Sequence, residues 1–201
     1  MLPKVRYFIA VLMLVSVPPA VVLWYAIHPF ARAWRRIGYG ATYLVLLVPA
    51  GLLAWALFHY RGVLLGRDLG SQPLLFALAV LAAVPAAIIA RRRRKLLTQR
   101  ILMGAPELSP SDKGRLLTDG IYARTRNPRY IEFILFVLAY VAFANFVGTW
   151  VLWLSTFPAI HLVVLLEERE LRDRFGAEYD EYCRRVPRYL PPLRETRVSR
   201  C

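Results

Sequence analysis

Two short clusters in this chain combine residue types that can hold a charged small molecule, and an apolar run separates them. The first is Arg126-Asn127-Pro128-Arg129-Tyr130, and the second is Glu167-Glu168. Asparagine before proline has the pattern of a helix N-cap followed by proline at the first helical position. A helix start of that kind offers free amide groups and a positive dipole end to an anion, and Arg126 adds charge to the same place. The glutamates supply the opposite sign. A site with cationic groups at one edge and anionic groups at the other suits a zwitterionic ligand. Inside the run, Glu132 is an ionisable group where a base or a cation ligand would be useful. An interfacial ion pair with Arg129, three residues earlier, is the plainer expectation for it. His161, roughly two helical turns before the glutamates, is a candidate either for contact with a substrate or for a hydrogen bond to a neighbouring helix.

The run between the clusters, Ile131 to Leu166, has 36 residues. As one helix it would extend about 54 Å, too long for a bilayer core of about 30 Å. Asn145-Phe146-Val147-Gly148-Thr149 supplies turn residues near its middle, so the run is expected to fold as two antiparallel helices. A hairpin returns the glutamates to the side on which the arginine motif lies. Three earlier segments, Val5 to Ile27, Gly38 to Phe58 and Pro73 to Ala90, are each long and apolar enough to span. The expectation is an all-α integral membrane protein with about five transmembrane helices, the last two a hairpin. Residues 1–90 hold three of them, 91–130 form a basic cytosolic segment, 131–166 the hairpin, and 167–201 a cytosolic tail.

Composition agrees with a membrane protein: 58% of the 201 residues are hydrophobic, more than a soluble core of this length requires. The formal charge of +14 comes largely from arginines beside apolar runs, with eleven basic residues between Arg91 and Arg129. That placement follows the positive-inside rule and puts Arg91 to Arg129, the Arg32, Arg35, Arg36 loop and the tail on the cytosolic side. Lys4 and Arg6 fall on the other side, the one conflict. Nucleic acid is not an expected partner, because no basic stretch is interleaved with aromatic residues for stacking. Cys183 and Cys201 are the only cysteines, which implies neither a disulfide framework nor a cysteine metal site. The excess of arginine over lysine fits a GC-rich bacterial genome and hence a bacterial plasma membrane.

Beyond the hairpin, Glu167 to Arg185 reads as a helix emerging into water, with i,i+4 pairs expected for Glu168 with Arg172, Glu170 with Arg174, Asp180 with Arg184 and Glu181 with Arg185. Gly176 marks a break in it. Pro187, Pro191 and Pro192 lay Val186 to Leu193 down as an extended strip.

The segment from about Leu116 to Leu193 resembles the isoprenylcysteine carboxyl methyltransferase and phospholipid methyltransferase superfamily of integral membrane methyltransferases. The likeness rests on LLTDGIYARTRNPRY, the apolar hairpin, LLEERELRDRFGAEYDEYCRRVPRYLP and their spacing. The resemblance implies S-adenosyl-L-methionine as cofactor, enclosed by the arginine motif, the paired glutamates and the tail. It also implies a membrane-embedded or amphiphilic acceptor entering from the bilayer. Carried over by position, the cofactor-binding set is Arg126, Asn127, Pro128, Tyr130, Glu167, Glu168, Tyr179, Tyr182, Arg185 and Pro187. Glu132 and His161 are the candidate catalytic residues, and no metal is implied.

Asn127 stands where the eukaryotic members have histidine, and an amide cannot take a proton. Where an arginine for the substrate carboxylate is expected just before the glutamates, this chain reads Leu162-Val163-Val164-Leu165-Leu166. The acceptor is thus either an isoprenylcysteine-type carboxylate or a lipid, with N-methylation of a phospholipid or amine as an alternative. An NADPH-dependent enzyme like the steroid reductases, and a non-catalytic protein that binds anionic lipids, are the readings from other classes.

Overall fold

The computed structural model describes residues 1–96 and 115–190. Most of the expected basic segment, 97–114, and the tail 191–201 with Pro191, Pro192, Leu193 and Cys201 lie outside the described residues. In chain order the helices are α1 (Leu2–Ile27), α2 (Ala31–Ile37), α3 (Tyr39–His59), α4 (Arg61–Leu65), α5 (Pro73–Arg94), a 3-10 turn at Gly120–Ala123, α6 (Pro128–Ala144), α7 (Val147–Phe175) and α8 (Ala177–Arg185). Four of them, α1, α3, α5 and α7, are long and apolar enough to cross a membrane. Helix α6 is apolar but has 17 residues, about 25 Å of helix.

Sequence pattern explains which faces pack. Ala79, Ala82, Ala86 and Ala90 recur at helical spacing and are the buried face of α5. Small side chains there let α5 lie close against α6, its main neighbour. Helix α1 packs across both arms of the α6–α7 hairpin: Met13 and Val17 meet Val137 and Val141, and Val21 meets Tyr130, Ile160, Val163 and Val164. The outward faces of α3 and α5 are apolar and open, with Leu44 74%, Leu74 78% and Leu81 71% exposed, as expected of surfaces that meet lipid.

The hairpin turns at Asn145, whose left-handed backbone (φ 56°, ψ 54°) ends α6. Its side chain fastens the turn, with Nδ2 donating to the Gly70 carbonyl at 2.8 Å and Oδ1 accepting from Trp150 Nε1 at 3.0 Å. The segment before α5 covers the tip. Asp68 and Phe146 form an isolated antiparallel bridge, with Val147 N–H donating to Arg67 O and Leu69 N–H to Asn145 O. Arg6, 3% exposed, reaches into the same tip, where it pairs with Asp68 and donates to the Ala144 carbonyl at 2.8 Å.

The second arm does not stop at Leu166. Helix α7 runs on through the glutamates to Phe175, because Glu167 to Arg174 is rich in good helix formers. The break at Gly176 is present, with a backbone (φ 56°, ψ −127°) that disfavours any other residue. The Arg32, Arg35, Arg36 loop is the short helix α2.

Candidate functional site

Helix α6 starts at Pro128 with Asn127 in the cap position, yet the Asn127 side chain makes no cap bond. Its Nδ2 donates instead to Glu168 Oε1 at 3.1 Å and to the Arg188 carbonyl at 3.2 Å. A buried carboxylate is the stronger attraction for an amide donor, and it overrides the local cap.

Glu168, 3% exposed, is the hub of this end of the hairpin. Arg126 donates to its Oε1 from Nε at 3.3 Å and from Nη2 at 3.0 Å. Arg188 donates from Nε to both oxygens, at 3.2 and 3.1 Å, and from Nη2 to Oε2 at 2.9 Å. Arg126 Nη1 reaches the carbonyls of Cys183 and Val186, each at 3.0 Å, while its backbone N–H donates to Pro187 O at 3.0 Å. The start of α6, the exit of α7 and the strip after α8 are thus tied through one carboxylate. The i,i+4 pair expected between Glu168 and Arg172 does not form, because two closer guanidinium groups take the carboxylate. Arg172 pairs with Asp180 across the Gly176 break, at 2.8 Å. Glu170 with Arg174 and Glu181 with Arg185 do pair, at 3.6 and 3.5 Å. Arg184 pairs with Glu181 in place of Asp180.

Glu167 is the next position round the helix and faces elsewhere. One of its oxygens accepts the Tyr130 hydroxyl. The other has no hydrogen bond among the described residues. Tyr130 is fully buried and meets the Trp24 ring edge-on at 5.5 Å, and the Arg129 guanidinium lies 5.0 Å from the same indole. Tyr122 belongs to this group as well. Burial first, and then the Glu167 charge, push its phenol up to about 12, so it is a hydrogen-bond donor at neutral pH.

Tyr179 and Tyr182 are buried in a small core with Val186, against Leu116, Leu171, Phe175 and Cys183. Burial pushes both phenols well above the ordinary tyrosine range. Tyr182 donates to the Tyr122 carbonyl at 2.7 Å, which fixes the 3-10 turn over the site. Arg185 points away from the cluster, exposed and paired with Glu181. Pro187 contributes its carbonyl to Arg126.

His161 lies on an exposed face of α7, with Nδ1 2.9 Å from the Tyr189 hydroxyl. Its partner therefore comes from the strip after α8, and not from a neighbouring spanning helix. The ion pair expected between Glu132 and Arg129 is replaced by one with Arg93 of α5. Nε donates to Oε2 at 2.8 Å and Nη2 to Oε1 at 3.0 Å, with both residues buried. Helix packing decides this, since Arg93 continues the buried face set by Ala86 and Ala90 while Arg129 turns to Trp24.

Sequence reasoning missed Arg188, Tyr189, Arg93, Tyr122 and Trp24. Arg93 had a signal: it falls on the periodic alanine stripe of α5. Arg188-Tyr189 had a weaker one, a basic-aromatic pair inside a proline-bounded strip. Tyr122 and Trp24 had none that set them apart from other tyrosines and from interfacial tryptophans.

No family model matches the chain, and no solved structure gives a significant match. Among curated proteins it is similar to the protein-S-isoprenylcysteine O-methyltransferase of Schizosaccharomyces pombe (strain 972 / ATCC 24843), with 35% identity over 77 residues. The matched part is 38% of this chain and spans one third (33%) of the length of that relative.

Proposed function

We propose that this protein is a membrane methyltransferase that uses S-adenosyl-L-methionine to methylate a membrane-embedded or amphiphilic acceptor. The observation that carries the reading is the Glu168 hub, which brings the arginine motif, the glutamate pair and the strip after α8 to one end of the hairpin. The similarity to an isoprenylcysteine O-methyltransferase, and four helices able to cross a membrane, support it.

The donor set fits such a cofactor in its chemistry. Glu167 has one oxygen with no hydrogen bond among the described residues, which suits an ammonium or hydroxyl group, and the Tyr122 and Tyr130 phenols belong to the same group; the Trp24 indole already carries the Arg129 guanidinium. When bound, the cofactor supplies an electrophilic methyl group on a sulfonium. Glu167, Tyr130 and Tyr122 are the residues that would hold it. Arg126, Glu168 and the Nδ2 of Asn127 are engaged by one another, by Arg188 and by backbone carbonyls of Cys183 and Val186, so they act as positioning residues. Methyl transfer requires alignment and exclusion of water more than covalent help, which is the service a rigid hub provides.

A carboxylate acceptor needs no general base. An amine must lose a proton, and Glu132 is poorly placed to take it with both oxygens on Arg93. His161, whose Nε2 has no hydrogen bond among the described residues, is the candidate for contact with the acceptor. The same reading places the site on the cytosolic face, with α6 and α7 completing about five spans. Arg91 to Lys95 at this end favour that sidedness. Of the two cations that oppose it, Arg6 is buried against Asp68 and counts little as a free charge, while Lys4 is exposed and still does.

The test is incubation of the protein in membranes with methyl-labelled S-adenosyl-L-methionine and total lipid extract. Label in a lipid or lipidated acceptor, lost with Glu167→Gln, is the expected result. Absence of label from every acceptor fraction contradicts it.

A further inference from the structure

Five consecutive cations close α5, and they do not share one role. Arg93 is buried on Glu132. The other four, Arg91, Arg92, Arg94 and Lys95, are exposed and have no carboxylate partner among the described residues. A cavity of about 420 Å³ opens beside them in the crevice between α5 and α6. Its rim is Arg91, Arg94 and Lys95, and its floor is Ala87, Ala90 and Phe136. On the other side of Lys95, a cavity of about 390 Å³ is lined by Arg92, Arg124, Leu96 and Ile121. Cations at a helix C-terminus favour the dipole, which accounts for their being at that end. It does not account for an apolar trough below them.

A cationic rim over an apolar trough, at the end of a spanning helix, matches a molecule with an anionic head and an aliphatic tail. We propose that this crevice binds one anionic phospholipid, with its phosphate on Arg91, Arg94 and Lys95 and an acyl chain along Ala87, Ala90 and Phe136. The site is separate from the Glu168 hub and stands whether or not the chain transfers methyl groups. Zwitterionic phospholipids carry a compensating ammonium and gain less from three clustered cations. The second cavity, sharing Lys95, extends the positive field that draws the phosphate in.

The experiment is native mass spectrometry of the full-length protein in neutral detergent, titrated with phosphatidylglycerol or with phosphatidylcholine of the same chains. One phosphatidylglycerol retained at a concentration at least tenfold below that for phosphatidylcholine is the expected result. The triple substitution Arg91→Gln, Arg94→Gln, Lys95→Gln should abolish the preference, whereas Arg184→Gln with Arg185→Gln, exposed on α8, should preserve it. Ala87→Trp, which fills the exposed trough and keeps every charge, should weaken binding even if the triple variant does not fold. Equal retention of the two lipids, an unchanged preference in both the triple and Ala87→Trp variants, or displacement by millimolar inorganic phosphate alone would overturn the proposal.

Discussion

The Arg188 guanidinium grips both oxygens of Glu168, at 2.9 to 3.2 Å, from a position 20 residues further along the chain. The contact exists because α8 and the strip after it fold back along the last turns of α7. It turns a surface tail into one wall of the site, and Arg126 meets the same carboxylate at Oε1.

Removing Glu168 should therefore cost far more than removing Arg188. Glu168→Ala leaves the buried Arg126 without its carboxylate, a change worth about 3–5 kcal/mol in comparable buried pairs. Arg188→Ala removes a partner that is more than a third exposed, and about 1 kcal/mol is expected. Thermal unfolding of the two variants in the same detergent measures the order, and equal losses would contradict the hub.

The Arg93–Glu132 pair joins α5 to α6 through buried charge. Glu132→Ala should destabilise by about 3–5 kcal/mol, because it strands a guanidinium among apolar helices. Adding Arg93→Met to Glu132→Leu should recover most of that loss. If Glu132 were instead a free base, its substitution would remove activity while leaving the melting temperature unchanged.

At the other end of the hairpin, a methyl group on Gly148 would lie 1.9 Å from the Leu64 carbonyl oxygen. The added carbon is fixed rigidly on α7 and the nearest atoms it meets are all backbone of Leu64 and Leu65, so α4 or α7 must shift. Gly148→Ala should lose roughly 1–3 kcal/mol or more, read from thermal unfolding. Gly62→Ala, whose added carbon meets nothing within 4 Å, is the matched control.

Asp68 makes the hairpin tip sensitive to acid. Burial raises its carboxyl, but the Gly70 amide and the Arg6 hydrogen bond and charge outweigh that and hold it below the usual carboxylate range. A depressed folded-state value means the stabilisation is present above about pH 4, the unfolded value, and disappears as pH falls through the folded value. Unfolding followed between neutral and strongly acid pH should show this component in the unmodified protein. Asp68→Asn should be less stable at neutral pH and should lose that part of the acid dependence.

Much of the architecture was legible because it depends on local pattern. The length of Ile131 to Leu166 demands a turn, Asn145 can adopt the left-handed backbone that makes one, and Gly176 weakens the helix where it breaks. Asn127 shows where such reasoning fails. Its position before Pro128 identifies the start of α6 correctly, but its side chain answers to Glu168, 41 residues away. Arg93 with Glu132, Arg6 with Asp68 and Arg188 with Glu168 are all set by which helices become neighbours. Charge counting along the chain cannot supply that, and it assigned Glu132 and Glu168 to the wrong nearby arginines.

The most direct test of the methyltransferase reading is calorimetric titration of the detergent-solubilised full-length protein with S-adenosylhomocysteine. Saturable one-site binding is predicted, lost in Glu167→Gln at an unchanged melting temperature. No binding by the unmodified, folded protein would contradict the account.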